Sequence, residues 1–200
     1  YLTLVYAISG GRKPQALWRF ARQTAAADPE LFSPHFLAYT QPSAILDRLQ
    51  QPGIARKKSD ATVWQRIGQA LMMRAQGSVQ RLLADHNFDA PGLLAMLQTN
   101  KTTFPVLSGL QTAPRWLYGL ATAGNQPVKG AAQLPVPVSP GARRALARLQ
   151  IDAEKVSAEI FPALDALGRA GCRQLQQAAQ KRCPAAADCP VAAYCQFGQL

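Results

Sequence analysis

The residues with the most chemistry to offer are four cysteines, and all of them fall in the last 29 residues (172–200): Cys172, Cys183, Cys189 and Cys195, separated by ten, five and five residues. Thiols crowded onto one short segment suggest a single shared site. A [4Fe–4S] cluster asks for four thiolates converging on a cube, and a short helix followed by tight loops can deliver them from contiguous sequence. Pro184 and Pro190 directly follow two of the cysteines, where they stiffen the loop, and Arg169, Arg173, Lys181 and Arg182 offset the negative charge of four thiolates. Two other chemistries use the same residues. Structural zinc usually draws on tighter C-x2-C pairs, which this segment does not contain, and disulfides need an oxidising compartment that nothing in the chain signals. Both stand as alternatives to the cluster. His35 and His86 lie far away and read as ordinary surface or helix-end residues.

The elements that must carry these groups are helices. Runs such as 16–21 and 44–49 place apolar residues at three- and four-residue spacing in a chain rich in alanine, leucine, glutamine and arginine. The best strand candidate, Leu134 to Val138, contains Pro135 and Pro137, which remove ladder donors and favour an extended connector. Helix starts are predicted at Ser43, at Asp60 before Val63 to Met73, at Ser78 before Val79 to Leu83, and at Pro140 before Ala142 to Leu149. Breaks are predicted at Pro52-Gly53, Gly77, Pro91-Gly92, Gly124-Asn125 and Gly130, with Gln126 to Pro140 as a crossover between two lobes. The expected fold class is all-α, with short antiparallel helices and no internal repeat.

Charge narrows the partners. The chain carries 22 Lys and Arg against 11 Asp and Glu, a formal net charge of +11, with 48% hydrophobic residues, as suits a globular chain with a polyanionic partner. No acid stands between Pro91 and Ile151, whereas Lys101, Arg115, Lys129, Arg143, Arg144 and Arg148 all do. No run reads as a signal peptide or membrane span, so the expectation is a monomeric, cytoplasmic, nucleoid-associated protein with no membrane partner.

Three segments in order carry a family likeness. Gly168-Arg169-Ala170-Gly171-Cys172 and the later cysteines resemble the C-terminal iron–sulfur loop of the endonuclease III and adenine-glycosylase family, G-R-x-x-C-x6-C-x2-C-x5-C; the last interval matches and the first two are longer here. Phe104-Pro105-Val106-Leu107-Ser108-Gly109-Leu110-Gln111-Thr112-Ala113 looks like that family's helix-hairpin-helix, L-P-G-V-G-x-K-T-A, whose turn offers backbone N–H groups to DNA phosphate. Val136 to Leu149 resembles its V-D-T-H-x-x-R-V-x-x-R-L. The likeness implies a helix-hairpin-helix glycosylase fold: a six-helix barrel lobe over residues 25–134, with its hairpin at 104–118, and an iron–sulfur lobe from 1–24 plus 135–200. It implies Cys172, Cys183, Cys189 and Cys195 as ligands of a [4Fe–4S] cluster. Double-stranded DNA in the cleft between the lobes would meet Leu107, Ser108, Gly109, Leu110, Gln111, Thr112, Arg115, Arg143 and Arg144.

Two departures bear on activity. The family's catalytic aspartate falls at Ser139, and the lysine of its bifunctional members falls within Gln111, Thr112, Ala113, Pro114 and Arg115, which supply no amine for a Schiff base. Asp28, Glu30, Asp60, Asp85 and Asp89 are the acids that could substitute from the barrel, although capping or decorating a helix is the commoner role for each. Trp64, Trp116, Tyr118 and Phe104 could stack on an extruded base or simply fill the core. The expected function is recognition of a damaged or modified base in duplex DNA, either as a monofunctional glycosylase with a divergent site or as a non-catalytic relative.

Overall fold

The computed structural model describes residues 1–10, 12, 14–50, 52–135 and 140–152, with positions 156, 160, 163–164, 166–167, 187, 189 and 191–195. In chain order the helices are α1 (Leu2–Ala7), α2 (Pro14–Ala27), α3 (Pro34–Tyr39), α4 (Pro42–Gln50), α5 (Lys58–Ala75), α6 (Val79–Ala84), α7 (Ala90–Thr99), α8 (Thr112–Thr122) and α9 (Pro140–Leu149). No strand occurs among the described residues, and an isolated bridge links Asp89 and Lys129. The chain is mostly helical, as its periodicity predicts.

The longest described helix, α5, shows why. Ala61, Trp64, Gly68, Leu71 and Ala75 recur at alternating intervals of three and four and are buried together with Ile67 and Ala70. Gly68 is needed for packing against α3, since a Cβ there would stand 2.5 Å from Leu37 Cβ and 3.2 Å from the Pro34 carbonyl. The indole N–H of Trp64 donates to the Leu31 carbonyl at 2.6 Å, satisfying the one polar atom that this side chain takes inside. The helix ends on Gln76 in the left-handed region, with the Gly77 amide donating to the Leu71 carbonyl at 2.9 Å, which closes orphan carbonyls of the last turn.

Capping explains the other starts. Ser78 accepts from the Arg81 amide at 3.2 Å ahead of α6, and Asp89 accepts from the Gly92 amide at 2.8 Å ahead of α7. The predicted break at Pro91-Gly92 is therefore the first turn of α7. Proline is tolerated there because its missing N–H has no intrahelical partner to lose. Asp60 lies inside α5, two residues beyond its first residue Lys58, and reaches back to accept from the Arg56 and Lys57 amides at 2.8 and 3.1 Å.

The contacts divide the chain into two units, Tyr1–Ala131 and Ala132–Leu200. Residues 1–24, expected with the C-terminal segment, pack in the first unit. α1 meets α2, α5 and α8. The Trp116 indole donates to Thr3 Oγ1 at 3.1 Å, and Gly119 leaves room for the Tyr6 ring, whose carbons would stand 2.8 Å from an added Cβ. In the second unit, α9 buries Gly141, Ala142, Ala145 and Leu146, and the last three of these form a small core with Leu164, flanked by Leu149, Val156 and Leu167.

Candidate nucleic-acid interface

α7 and α8 pack against each other and are joined by a string of tight turns over residues 100–111. Phe104 and Leu107 are buried and pin that connection from within, and Ser108 is buried beside them. The turn spends its first amides internally: Leu107 donates to Pro105, Ser108 to Phe104 and Gly109 to Val106, at 2.8, 3.0 and 2.9 Å. Leu107 and Ser108 thus hold the hairpin and do not present side chains to a partner. Past them the chain opens out. Leu110 is 74% exposed, Gln111 is exposed, and the amides of both make no hydrogen bond within the described residues. The Thr112 and Ala113 amides both fold back to the Gly109 carbonyl, at 3.0 and 2.9 Å, and α8 begins.

Two local features fix this shape. A Cβ on Gly109 would sit 3.0 Å from the Val106 carbonyl oxygen, so any side chain there makes the turn give way. Val106 itself takes φ +66°, a conformation that a β-branched residue adopts only when its surroundings impose it. Nothing in residue type or spacing marks Val106 for that role. One turn into α8, Arg115 is half-buried and near enough to the Tyr6 phenol to act on it: burial pushes the Tyr6 pKa up, and the guanidinium pulls it partly back. Arg115 is therefore set into the unit at the base of the hairpin, and Lys101 is exposed on the same connection.

Four of the six acids of this unit are engaged by arginines or helix amides, and the other two, Asp47 and Asp85, are exposed. Asp60 is buried and accepts from the Arg12 guanidinium as well as the two amides, and Arg12 also donates to the Ile54 carbonyl. Asp28 receives Arg48 Nε at 2.8 Å, and the same guanidinium reaches Glu30 at 3.2 Å. Both carboxylates hold the Arg48 proton more tightly than usual, side-chain hydrogen bonding to Asp28 being the larger cause. A groove of about 340 Å³ lined by Gln23, Thr24, Ala27, Asp28, Arg48 and Pro52 has this paired Asp28 as its carboxylate. Asp89 caps α7, and Asp85 is exposed at the end of α6. Trp64, Trp116 and Phe104 are core, each no more than 1% exposed, which removes them as stacking platforms; Tyr118 is half-buried.

Within the second unit, α9 exposes Arg143, with Arg144 and Arg148 half-buried one turn apart. Ser139, Cys172 and Cys183 lie outside the described residues. Cys189 and Cys195 are half-buried free thiols flanking one turn of 3-10 helix, Ala192–Tyr194, whose closure uses hydrogen bonds from the Ala192 amide to the Cys189 carbonyl and from the Cys195 amide to the Ala192 carbonyl, both 3.1 Å. Among the described residues there is no group of three metal-ligating side chains, and half of the cysteine set falls outside that description.

The described residues define an all-helical protein with an exposed hairpin and a surplus of cations. No protein-family model, curated protein or solved structure is found to match the chain. No described helix is long and apolar enough to cross a membrane.

Proposed function

We propose that this chain is a duplex-DNA-binding iron–sulfur protein of the helix-hairpin-helix glycosylase kind, recognising a damaged or modified base. The observation that carries the reading is the hairpin: two adjacent open amides, Leu110 and Gln111, lead into α8 beside a glycine at which an added Cβ would crowd the Val106 carbonyl. Orphan donors at a helix start, with the helix dipole behind them, suit an anionic oxygen such as a phosphodiester. Charge supports the same partner, because six cations and no acid lie between Pro91 and Ile151. Cys172, Cys183, Cys189 and Cys195 would hold a [4Fe–4S] cluster that stabilises the C-terminal segment. No catalytic step is assigned to it.

A second reading, recognition without base excision, is favoured by the acids. Asp28, Glu30, Asp60 and Asp89 are held by arginines or helix amides, and the position of the family's aspartate is Ser139. A carboxylate neutralised by a guanidinium is a weak counter-charge for a sugar cation. Incubation with duplexes bearing a panel of altered bases decides between the two. Tight binding with base release supports a glycosylase, and tight binding with every base retained supports the non-catalytic relative. Failure to bind any duplex at low salt sinks both.

A further inference from the structure

The start of α5 carries three consecutive cations: Arg56 and Lys57 precede its first turn and Lys58 opens it, all three are exposed, and none makes an ion pair among the described residues. Their placement works against the fold. Cations at a helix N-terminus face the positive end of the backbone dipole, and three neighbouring like charges repel one another. The acid of that turn offers no relief at the surface: Asp60 is buried, and its carboxylate is engaged by Arg12 and by the Arg56 and Lys57 amides. Those bonds hold the backbone of the triplet in place while leaving its side chains in solvent.

We infer that Arg56, Lys57 and Lys58 form a second phosphodiester grip, separate in sequence from the hairpin, that contacts the backbone of duplex DNA. The inference rests on DNA being the partner. It gives the unfavourable charge run a purpose, since a local arrangement that opposes folding is expected where a ligand supplies the missing counter-charge. Contacts of this kind position a duplex without reading its sequence.

The test compares the full chain with two triple variants on one labelled mixed-sequence duplex: Arg56→Gln/Lys57→Gln/Lys58→Gln, and Arg66→Gln/Arg74→Gln/Arg81→Gln, which removes equal charge from exposed positions farther along α5 and on α6. Three lost phosphate contacts lower the slope of log affinity against log salt by about 2.7, so that between about 50 and 200 mM salt the parent loses roughly 40-fold more affinity than the first variant. The second variant keeps nearly the parent slope. The first variant also melts no lower than the parent, because glutamine relieves repulsion at the helix start; a lower melting temperature would mean that the three cations serve the fold. A parent that binds with a steep slope, paired with a first variant of the same slope, overturns the grip and leaves the DNA reading intact. Equal losses in both variants likewise overturn it, showing bulk charge in place of a site. A parent that does not bind, or binds without regard to salt, overturns the DNA reading and this inference together.

Discussion

Asp60 anchors more of the molecule than any other acid that is described. It caps α5 and pairs with Arg12, two residues before α2, whose guanidinium also donates to the Ile54 carbonyl. Both side chains of the pair are only 7% exposed, so removing the carboxylate charge strands a buried guanidinium. Asp60→Asn should therefore lower unfolding free energy by about 3–5 kcal/mol, read by urea denaturation. A loss below about 1 kcal/mol would mean that water reaches Arg12 freely. Tyr6 makes a separate prediction with pH. Burial raises its folded-state pKa above the ordinary 10.0, with Arg115 opposing in part. A raised acid binds its proton more tightly folded than unfolded, so its stabilising contribution is complete below pH 10 and is lost as pH climbs through the folded value. Tyr6→Phe should flatten the alkaline fall in stability, and an unchanged fall would assign it to other groups such as Tyr1, whose phenol is also raised by burial.

At the scale of elements, the α7–α8 hairpin depends on Gly109 more than on any side chain that it exposes. Gly109→Glu pushes a Cβ against the Val106 carbonyl and sets a carboxylate beside the open amides, so affinity for all duplexes should drop by roughly tenfold or more, whatever their sequence. Weakening confined to one lesion would contradict a phosphate-facing hairpin. The same segment predicts the outcome of a chemical trap. From Gln111 to Arg115 it holds no lysine, and an arginine stays protonated and cannot form a Schiff base. Borohydride added during incubation with lesion-bearing DNA should yield no covalent adduct. An adduct lost on Lys101→Ala or Lys129→Ala would make the protein a bifunctional lyase.

For the molecule as a whole, the proposed cluster sets the expectations. Anaerobically purified protein should be brown and carry about four irons per chain. Cys189→Ala should lose the iron and much of the solubility, since metal binding and folding are linked in a segment with little apolar sequence of its own. Stoichiometric zinc in place of iron would select the zinc alternative, and full iron in the variant would remove Cys189 from the ligand set. The two units share the burden unevenly: the first has a core built around Trp64, Trp116 and Phe104, whereas the described core of the second is four small or aliphatic residues near α9.

The amino-acid sequence by itself determined the helical class, the starts of α6 and α9, the turns at Pro52-Gly53 and Gly77, the basic surplus and the crowding of four thiols. Each of these follows from composition or from spacing within one helical turn. The tertiary structure decided what depends on residues distant in sequence. Trp64 and Trp116 leave stacking open beside the more usual core role until Leu31 and Thr3 are seen to receive their indole N–H groups. Asp60 and Asp28 look available as acids until Arg12 and Arg48 arrive from 48 and 20 residues away. Residues 1–24 join the first unit through the fit of Tyr6 against Gly119, and Pro91-Gly92 opens a helix because Asp89 caps it. The triplet at 56–58 was visible as three letters throughout. Its exposure, and the commitment of its neighbouring acid to the interior, are properties of the folded chain, because burial and ion pairing are set by which distant segments come to rest beside a residue.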